Sequence, residues 1–382
     1  MRRAVVISLV AAACGHSSTY DGTIALCAPE DPRSTAVLAI HAHDNNARSS
    51  QTQARVLVPL DAITGKAGPT IDAGRTASCL GGVGPNVLVT TAAHGTHLRD
   101  PRTGAITTTE AQLLGTAGHV RETRYDARTH RLWLRTEFGD EVIVDVATLA
   151  RWPARDAPPP PAIPAEAEGV APPASHAVAQ LVSFGMTNAF FAGGDAAYSR
   201  YEAAGRYGLA CDGSKCRLAT RELDAYGNGS SLTPITTADV LLVAHGIGVV
   251  AGRGALVSRL ARLDEASREL VFVGLDGKVQ WTRPDLKDTT YYPSRQLDDH
   301  VLLQFQHFEQ NPPNYAPKTD LYLIDARGRD VWKHTFGRNT NWWDQELTTA
   351  VVRFGDAVLL GVNAEVVAMP IGPGKARWHY DP

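Results

Sequence analysis

His41-Ala-His43-Asp44 is the grouping in this chain whose residue types could hold a metal ion. On an extended strand alternate side chains share a face, so the two imidazoles stand side by side with a carboxylate at the turn. The competing reading, a pair of exposed histidines ending a strand before the polar loop DNNARSSQTQ, is preferred, and His94-Gly-Thr-His97 offers still less. Gly246-x-Gly248-x-x-Ala251 follows an apolar run and precedes Ala255 to Asp264, the order of a dinucleotide-binding turn and helix. Gly252 and Gly254 would weaken the first turns of such a helix, so the segment reads as glycine-rich strands joined by a turn. No Gly-x-Ser-x-Gly elbow, His-Glu-x-x-His pair or phosphate loop occurs, and Asp298-Asp299 would point to opposite faces if extended. The chain is therefore read without a cofactor, and as a binding protein rather than an enzyme.

Aromatic residues suggest where binding would occur. Tyr291-Tyr292 stands ten and eleven residues beyond Trp281, and Trp342-Trp343 stands at the same offsets beyond Trp332. With nearby Arg295, Asp299 and Asp344 these doublets compose a candidate binding face for a sugar, a peptide or a partner loop. The alternative is that the aromatic pairs plug gaps between structural units.

The elements that would position them are short strands. Apolar runs such as Ala36 to Ile40, Arg55 to Leu60, Val240 to Ala244, Leu321 to Ile324 and Ala357 to Val362 are bounded by Gly, Asp, Asn and Pro, and long amphipathic helices are almost absent. Several runs end alike, in an Asp, a polar turn and a Trp: Asp145 with Trp152, Asp276 with Trp281, and Asp325 with Trp332. Gly277 and Gly328 stand four residues before their Trp, as Gly374 does before Trp378, where the Asp is missing. An Asp can bond its own backbone and a Gly accepts positive φ, which suits a tight reversal.

These repeats resemble the PQQ-like β-propeller family, whose blade ends in an apolar strand, an Asp-containing turn and a Trp. The resemblance covers residues 255 to 382 best, 34 to 152 less well and 177 to 240 poorly. It implies an all-β fold of four-stranded antiparallel blades, with the Asp holding a turn, the Trp packing between blades, and both aromatic doublets in equivalent crossings on one face. Trp281, Trp332 and Trp378 lie 51 and 46 residues apart, a period that divides the chain into about seven blades, with six or eight also fitting. The family's quinone enzymes cover their cofactor with a disulfide between adjacent cysteines, and no two cysteines here are adjacent. Pro153 to Pro173, PARDAPPPPAIPAEAEGVAPP, cannot pair as central strands and is read as an insertion within a single propeller spanning 34–382.

The N-terminus supplies an address. Met1-Arg2-Arg3 and the mostly apolar run Ala4 to Ala13 form an export signal over 1–13, too short to span a membrane. Its end, VAAAC, resembles a bacterial lipobox, which implies acylation of Cys14, a tether over 14–33 and a place at the outer membrane or in the periplasm; plain secretion is the alternative. With Cys14 set aside, Cys27, Cys79, Cys211 and Cys216 can form two bridges in an oxidising compartment. A formal net charge of -3 leaves no electrostatic footprint for nucleic acid. The expectation is a monomeric, lipid-anchored scaffold for an envelope protein, peptide or glycan, similar in size, anchor and repeat type to the propeller lipoproteins of the outer-membrane β-barrel assembly machinery. The alternative is an extracytoplasmic enzyme, a glycan-active hydrolase or lyase or a quinoprotein, using a central funnel.

Overall fold

Residues such as Val37, Leu38, Ala39 and Ile40 are all fully buried although successive side chains of a strand point to opposite faces. A strand buried on both faces needs a neighbour on each side, which is why the middle strands read as unbroken apolar runs. In the computed structural model, which describes residues 19–44, 54–116, 118–127, 129–160, 179–180, 185–186, 190–191, 200–204, 207–212, 215–220, 231–234, 241–250, 252–260, 268–286, 290–291, 295–311, 314–336, 350–362 and 365–381, the neighbours are further sheets of the same kind.

Seven antiparallel units follow one another along the chain. The first comprises Thr19–Cys27, Ala36–Asp44, Ala54–Asp61 and Ile71–Gly74; the second Ala77–Val83, Asn86–Thr91, Gly95–Arg99 and Ile106–Thr108. The third comprises Val120–Asp126, Arg131–Thr136, Glu141–Asp145 and Arg151–Pro153; the fourth Gly185–Met186, Arg200–Ala204, Tyr207–Asp212 and Lys215–Thr220. The fifth, Leu241–Val250, Gly254–Leu260, Arg268–Gly274 and Val279–Arg283, is continuous with the fourth through Lys215 and Cys216. The sixth comprises Arg295–Leu297, His300–Asn311, Asn314–Ile324 and Asp330–Phe336, and the seventh Ala350–Phe354, Ala357–Val362, Glu365–Pro370 and Trp378–Tyr380.

Among the described residues, buried clusters join these units side by side at every seam but the one between the third and the fourth. Leu38 and Ile40 of the first pack on Val87 and Val89 of the second, whose Leu88 and Leu98 meet Leu132, Leu134 and Val144 of the third. Leu209 and Leu218 of the fourth meet Val257 and Val271 of the fifth; Leu256 and Phe272 of the fifth meet Leu303 and Phe305 of the sixth; Leu321 and Leu323 of the sixth meet Val358 and Val367 of the seventh. The ring closes where Val37 and Val58 of the first sheet pack on Leu359, Val366 and Trp378 of the seventh. The chain is a seven-bladed β-propeller, and its last blade is made wholly of consecutive strands, so closure is by side-chain packing.

Two of the turn glycines meet a Trp of the neighbouring blade. A Cβ on Gly328 of the sixth blade would come 2.6 Å from the indole of Trp281 in the fifth, and one on Gly65 of the first would come 2.6 Å from Trp378 in the seventh. Both glycines also need their positive φ, 78° and 71°. Trp378 donates from Nε1 to the Ala62 carbonyl at 3.0 Å, and Trp332 donates to that of Pro370 at 2.7 Å. For Trp281 the corresponding carbonyl, of Ala326, is taken by Arg253, and Nε1 is without a partner among the described residues. The turn aspartates accept from backbone amides two to four residues on: Asp145 Oδ1 from Ala147 and Thr148, Asp325 Oδ1 from Arg327 and Arg329, and Asp276 Oδ1 from Lys278.

Two sequence expectations change in detail, for the first strand and for His41, and a third, the glycine-rich hairpin, holds. The first blade begins with Thr19–Cys27, inside the segment read as a tether; register shifts after Tyr20 and Thr23 break the alternation that would have revealed it. Leu241–Val250 and Gly254–Leu260 form an antiparallel hairpin, so Ala255 begins no helix and the glycine pattern is not a dinucleotide turn. His41 is fully buried rather than exposed, at a ring distance of 6.1 Å from Tyr380 across the closing seam. Cys27 is bonded to Cys79, tying the first blade to the second, and Cys211 to Cys216 across one hairpin.

Candidate functional site

In an up-and-down blade the fourth strand ends on the face where the chain crosses to the next blade, together with the turn between the second and third strands. The other two turns lie on the opposite, hairpin face. Arg295 begins the first consecutive strand of the sixth blade, where Gln180 of the two-residue strand Ala179–Gln180 pairs with it, and therefore sits toward the crossing face, half-buried, its guanidinium pKa held below the ordinary value by burial. Asp299 lies past the end of that strand in its hairpin turn, so the structure separates it from Arg295. There its carboxylate is 2.9 Å from His300 Nδ1 and its carbonyl accepts from Arg253. Tyr291 forms a two-residue strand with Thr290 beside Phe305 and Gln306. Tyr292, Trp342, Trp343 and Asp344 lie outside the described residues, as does Cys14. The backbone of His43 and Asp44 continues the strand of His41, and among the described residues no group of three or more His, Cys, Asp or Glu is placed to hold a metal ion.

The crossing from the second to the third blade is described throughout except at position 117, and it builds a site that sequence reading missed. Its short helix Glu110–Leu114 has a capping box between Thr109 and Gln112 and ends at Gly115 in the left-handed region. Arg151 of the third blade donates to the carbonyls of Gln112 and Leu113, satisfying the helix C-terminus with a cation. Buried Glu110 accepts from the Thr96 amide at 2.7 Å through one oxygen and from the Val120 amide at 3.1 Å through the other, with His119 Nδ1 3.7 Å away. Gly95 leaves room for that carboxylate, since a Cβ there would collide with Glu110 Oε2.

Around Glu110 opens a cleft of about 460 Å³ between the two blades, lined among others by Ser78, Thr90, Thr96, His119, Arg121 and Thr123. Thr96 Oγ1 lies 3.0 Å from both Thr90 Oγ1 and Thr123 Oγ1, a chain of three hydroxyls whose direction can reverse to present a donor at either end. At the rim the Glu137 amide donates to the His119 carbonyl, and the next residue, Phe138, is 80% exposed. A carboxylate whose two oxygens both hold backbone amides anchors a loop and is poorly placed to move protons; the hydroxyls and the exposed ring supply contact surface. The sequence signal for this site is weak but readable: an aromatic residue in the polar turn Thr136-Glu-Phe-Gly-Asp140.

No protein-family model matches the chain, and no curated protein matches it in sequence. Solved structures of similar shape include the C-terminal WD40 domain of Sif2, at 10% identity over 92% of this chain and 97% of that one with a TM-score of 0.37. The β-propeller domain of Cps50 (Swd1) from Myceliophteria thermophila has 11% identity over 95% and 97%, TM-score 0.31. Oligogalacturonate lyase in complex with manganese has 8% identity over 93% and 76%, TM-score 0.27. These similarities carry no statement about function; the chain's own sheets and seams make it a seven-bladed propeller.

Proposed function

We propose that this propeller is an exported, lipid-anchored protein of a bacterial cell envelope that binds a protein, peptide or glycan through its crossing face, without catalysis. The observation that carries the reading is Phe138, a large ring left 80% exposed in a turn whose Glu137 bonds His119, one of the residues lining a cleft with several hydroxyls. Exposed aromatics beside polar groups are the usual anchors of binding surfaces. The export run and lipobox-like VAAAC support the address, with Cys14 as the acylated residue, and the two disulfides suit an oxidising compartment. The Asp, Gly and Trp of the turns support kinship with PQQ-like repeats.

Cross-linked affinity capture of the anchored protein from its host's envelope tests the face. A reproducible partner is expected with the wild type, and its loss is expected with Phe138→Ala and with Trp342→Ala/Trp343→Ala. Undiminished capture by both variants would remove the crossing face from the proposal. Metabolic labelling with a fatty-acid probe tests the anchor and should fail on Cys14→Ser.

A further inference from the structure

The segment leaving the third blade cannot join a sheet. Four consecutive prolines, Pro158 to Pro161, lack the amide hydrogen that a ladder needs, and each restricts the residue before it to extended or polyproline II conformation. Ala157, just before them, has φ −65° and ψ 135°, and Pro153 has φ −52° and ψ 139°, both near polyproline II values. Pro158, Pro159 and Pro160 are exposed. Carbonyls of such a run have no partner within it.

Two of them are met by one side chain. Arg131 donates from Nη1 to the Pro158 carbonyl and from Nη2 to the Pro159 carbonyl, the latter at 3.0 Å. Its guanidinium carbon also lies 5.9 Å from the ring centre of Trp152. Arg131 stands on the second strand of the blade and Trp152 on the fourth, so the receiving groups belong to rigid sheet while the received run is preformed by its prolines. A polyproline II helix turns once in about three residues, so consecutive carbonyls diverge, and the planar, five-donor fork of an arginine can span them where a lysine offers a point charge.

We propose that Arg131 and Trp152 form a subsite for a polyproline II peptide, occupied here by the chain's own Pro158 and Pro159, which act as a tethered and displaceable ligand. The tether from Trp152 to Pro158 is short, so the internal run outcompetes a free peptide by its effective concentration. A peptide supplied in trans gains the subsite when the run is lifted or loses its polyproline conformation. The proposal is independent of the crossing-face reading.

The test uses the full chain with Pro158→Gly/Pro159→Gly/Pro160→Gly, which vacates the subsite outside the blades, and a fluorescent peptide of sequence APPPPAIP, the chain's own 157–164. Saturable binding by fluorescence anisotropy is expected for the vacated chain. The wild type, and the vacated chain carrying Arg131→Ala, should each bind roughly ten-fold more weakly or worse. Failure of the peptide to saturate a vacated chain with unchanged circular dichroism, or equal binding with and without Arg131, would overturn the proposal. Limited trypsin digestion gives a second reading on otherwise wild-type protein. Cutting after Arg155 should accelerate severalfold in Arg131→Ala and not in Arg135→Ala; equal rates in the two count against the subsite.

Discussion

The indole of Trp281 lies flat enough on Gly328 that a methyl group there would come 2.6 Å from its Cδ2 atom, although 46 residues separate the two along the chain. The Gly and Trp that recur at a spacing of four within one repeat are thus not each other's partners. Hairpin geometry sets their spacing, and Gly328 and Gly65 contact the Trp of an adjacent blade, Trp281 and Trp378, whereas Gly374 faces Pro370 of its own blade. Gly328→Ala should cost at least about 1–3 kcal/mol, from positive φ and overpacking together. Gly139→Ala, also at positive φ but with open space around it, should cost only the conformational part. Equal denaturation midpoints for the two variants would refute the interblade contact.

His97 sits fully buried in the second blade with both ring nitrogens committed: Nδ1 lies 3.0 Å from the Gly95 carbonyl and Nε2 accepts from Arg99 Nε at 3.2 Å. Burial first, then repulsion from Arg99, opposed by the Gly95 carbonyl, holds its pKa down to about 4. Burial alone does the same to His41, also to about 4. In the unfolded chain both imidazoles take a proton near pH 6.5, so the unfolded state binds more protons below that value. Stability is therefore full above about pH 7 and declines as pH falls from about 6.5 to 4, by up to about 3 kcal/mol for each residue. Urea midpoints measured at pH 7.5 and 5 should fall accordingly, and His41→Leu should flatten the slope.

The two disulfides should contribute unequally. Cys27 and Cys79 close a loop of 52 residues, against 5 for Cys211 and Cys216. Chain entropy assigns about 4 kcal/mol to the first and about 2 to the second. Paired Cys→Ser variants compared by denaturant unfolding should keep that order; the reverse order would mean that the short staple organises its blade beyond closing a loop.

At the crossing face, Phe138→Ala should leave stability within about 0.5 kcal/mol, because the ring is mostly in water already. Loss of partner capture without loss of stability is the signature expected of a contact residue. A large drop in melting temperature would instead make Phe138 part of the fold.

Much of the architecture is legible from residue types because it rests on local chemistry. The Asp that bonds its own turn, the Gly at positive φ and the Trp beyond it mark blade length even where the Asp is absent before Trp378. What escapes local reading depends on the neighbouring blade. Nothing beside His41 in the sequence announces Tyr380, which lies at the far end of the chain, and Asp299 sits next to His300 yet on the opposite end of its strand from Arg295. Glu110 looks like an ordinary acidic residue at a helix start until the amides of Thr96 and Val120 are seen to converge on it. Leu149 shows the converse, occupying φ 60° in the third blade at the turn position that Gly65 and Gly104 fill in the first two.

Because no strand is exchanged between the first and seventh blades among the described residues, the seam held by Trp378, Ala62 and Gly65 makes the molecule a row of seven blades rolled up. Such a row has no privileged beginning. Joining its present ends and opening the chain at another crossing should yield a circular permutant with the same blades in the same order, in which the old seam becomes one neighbour contact among seven.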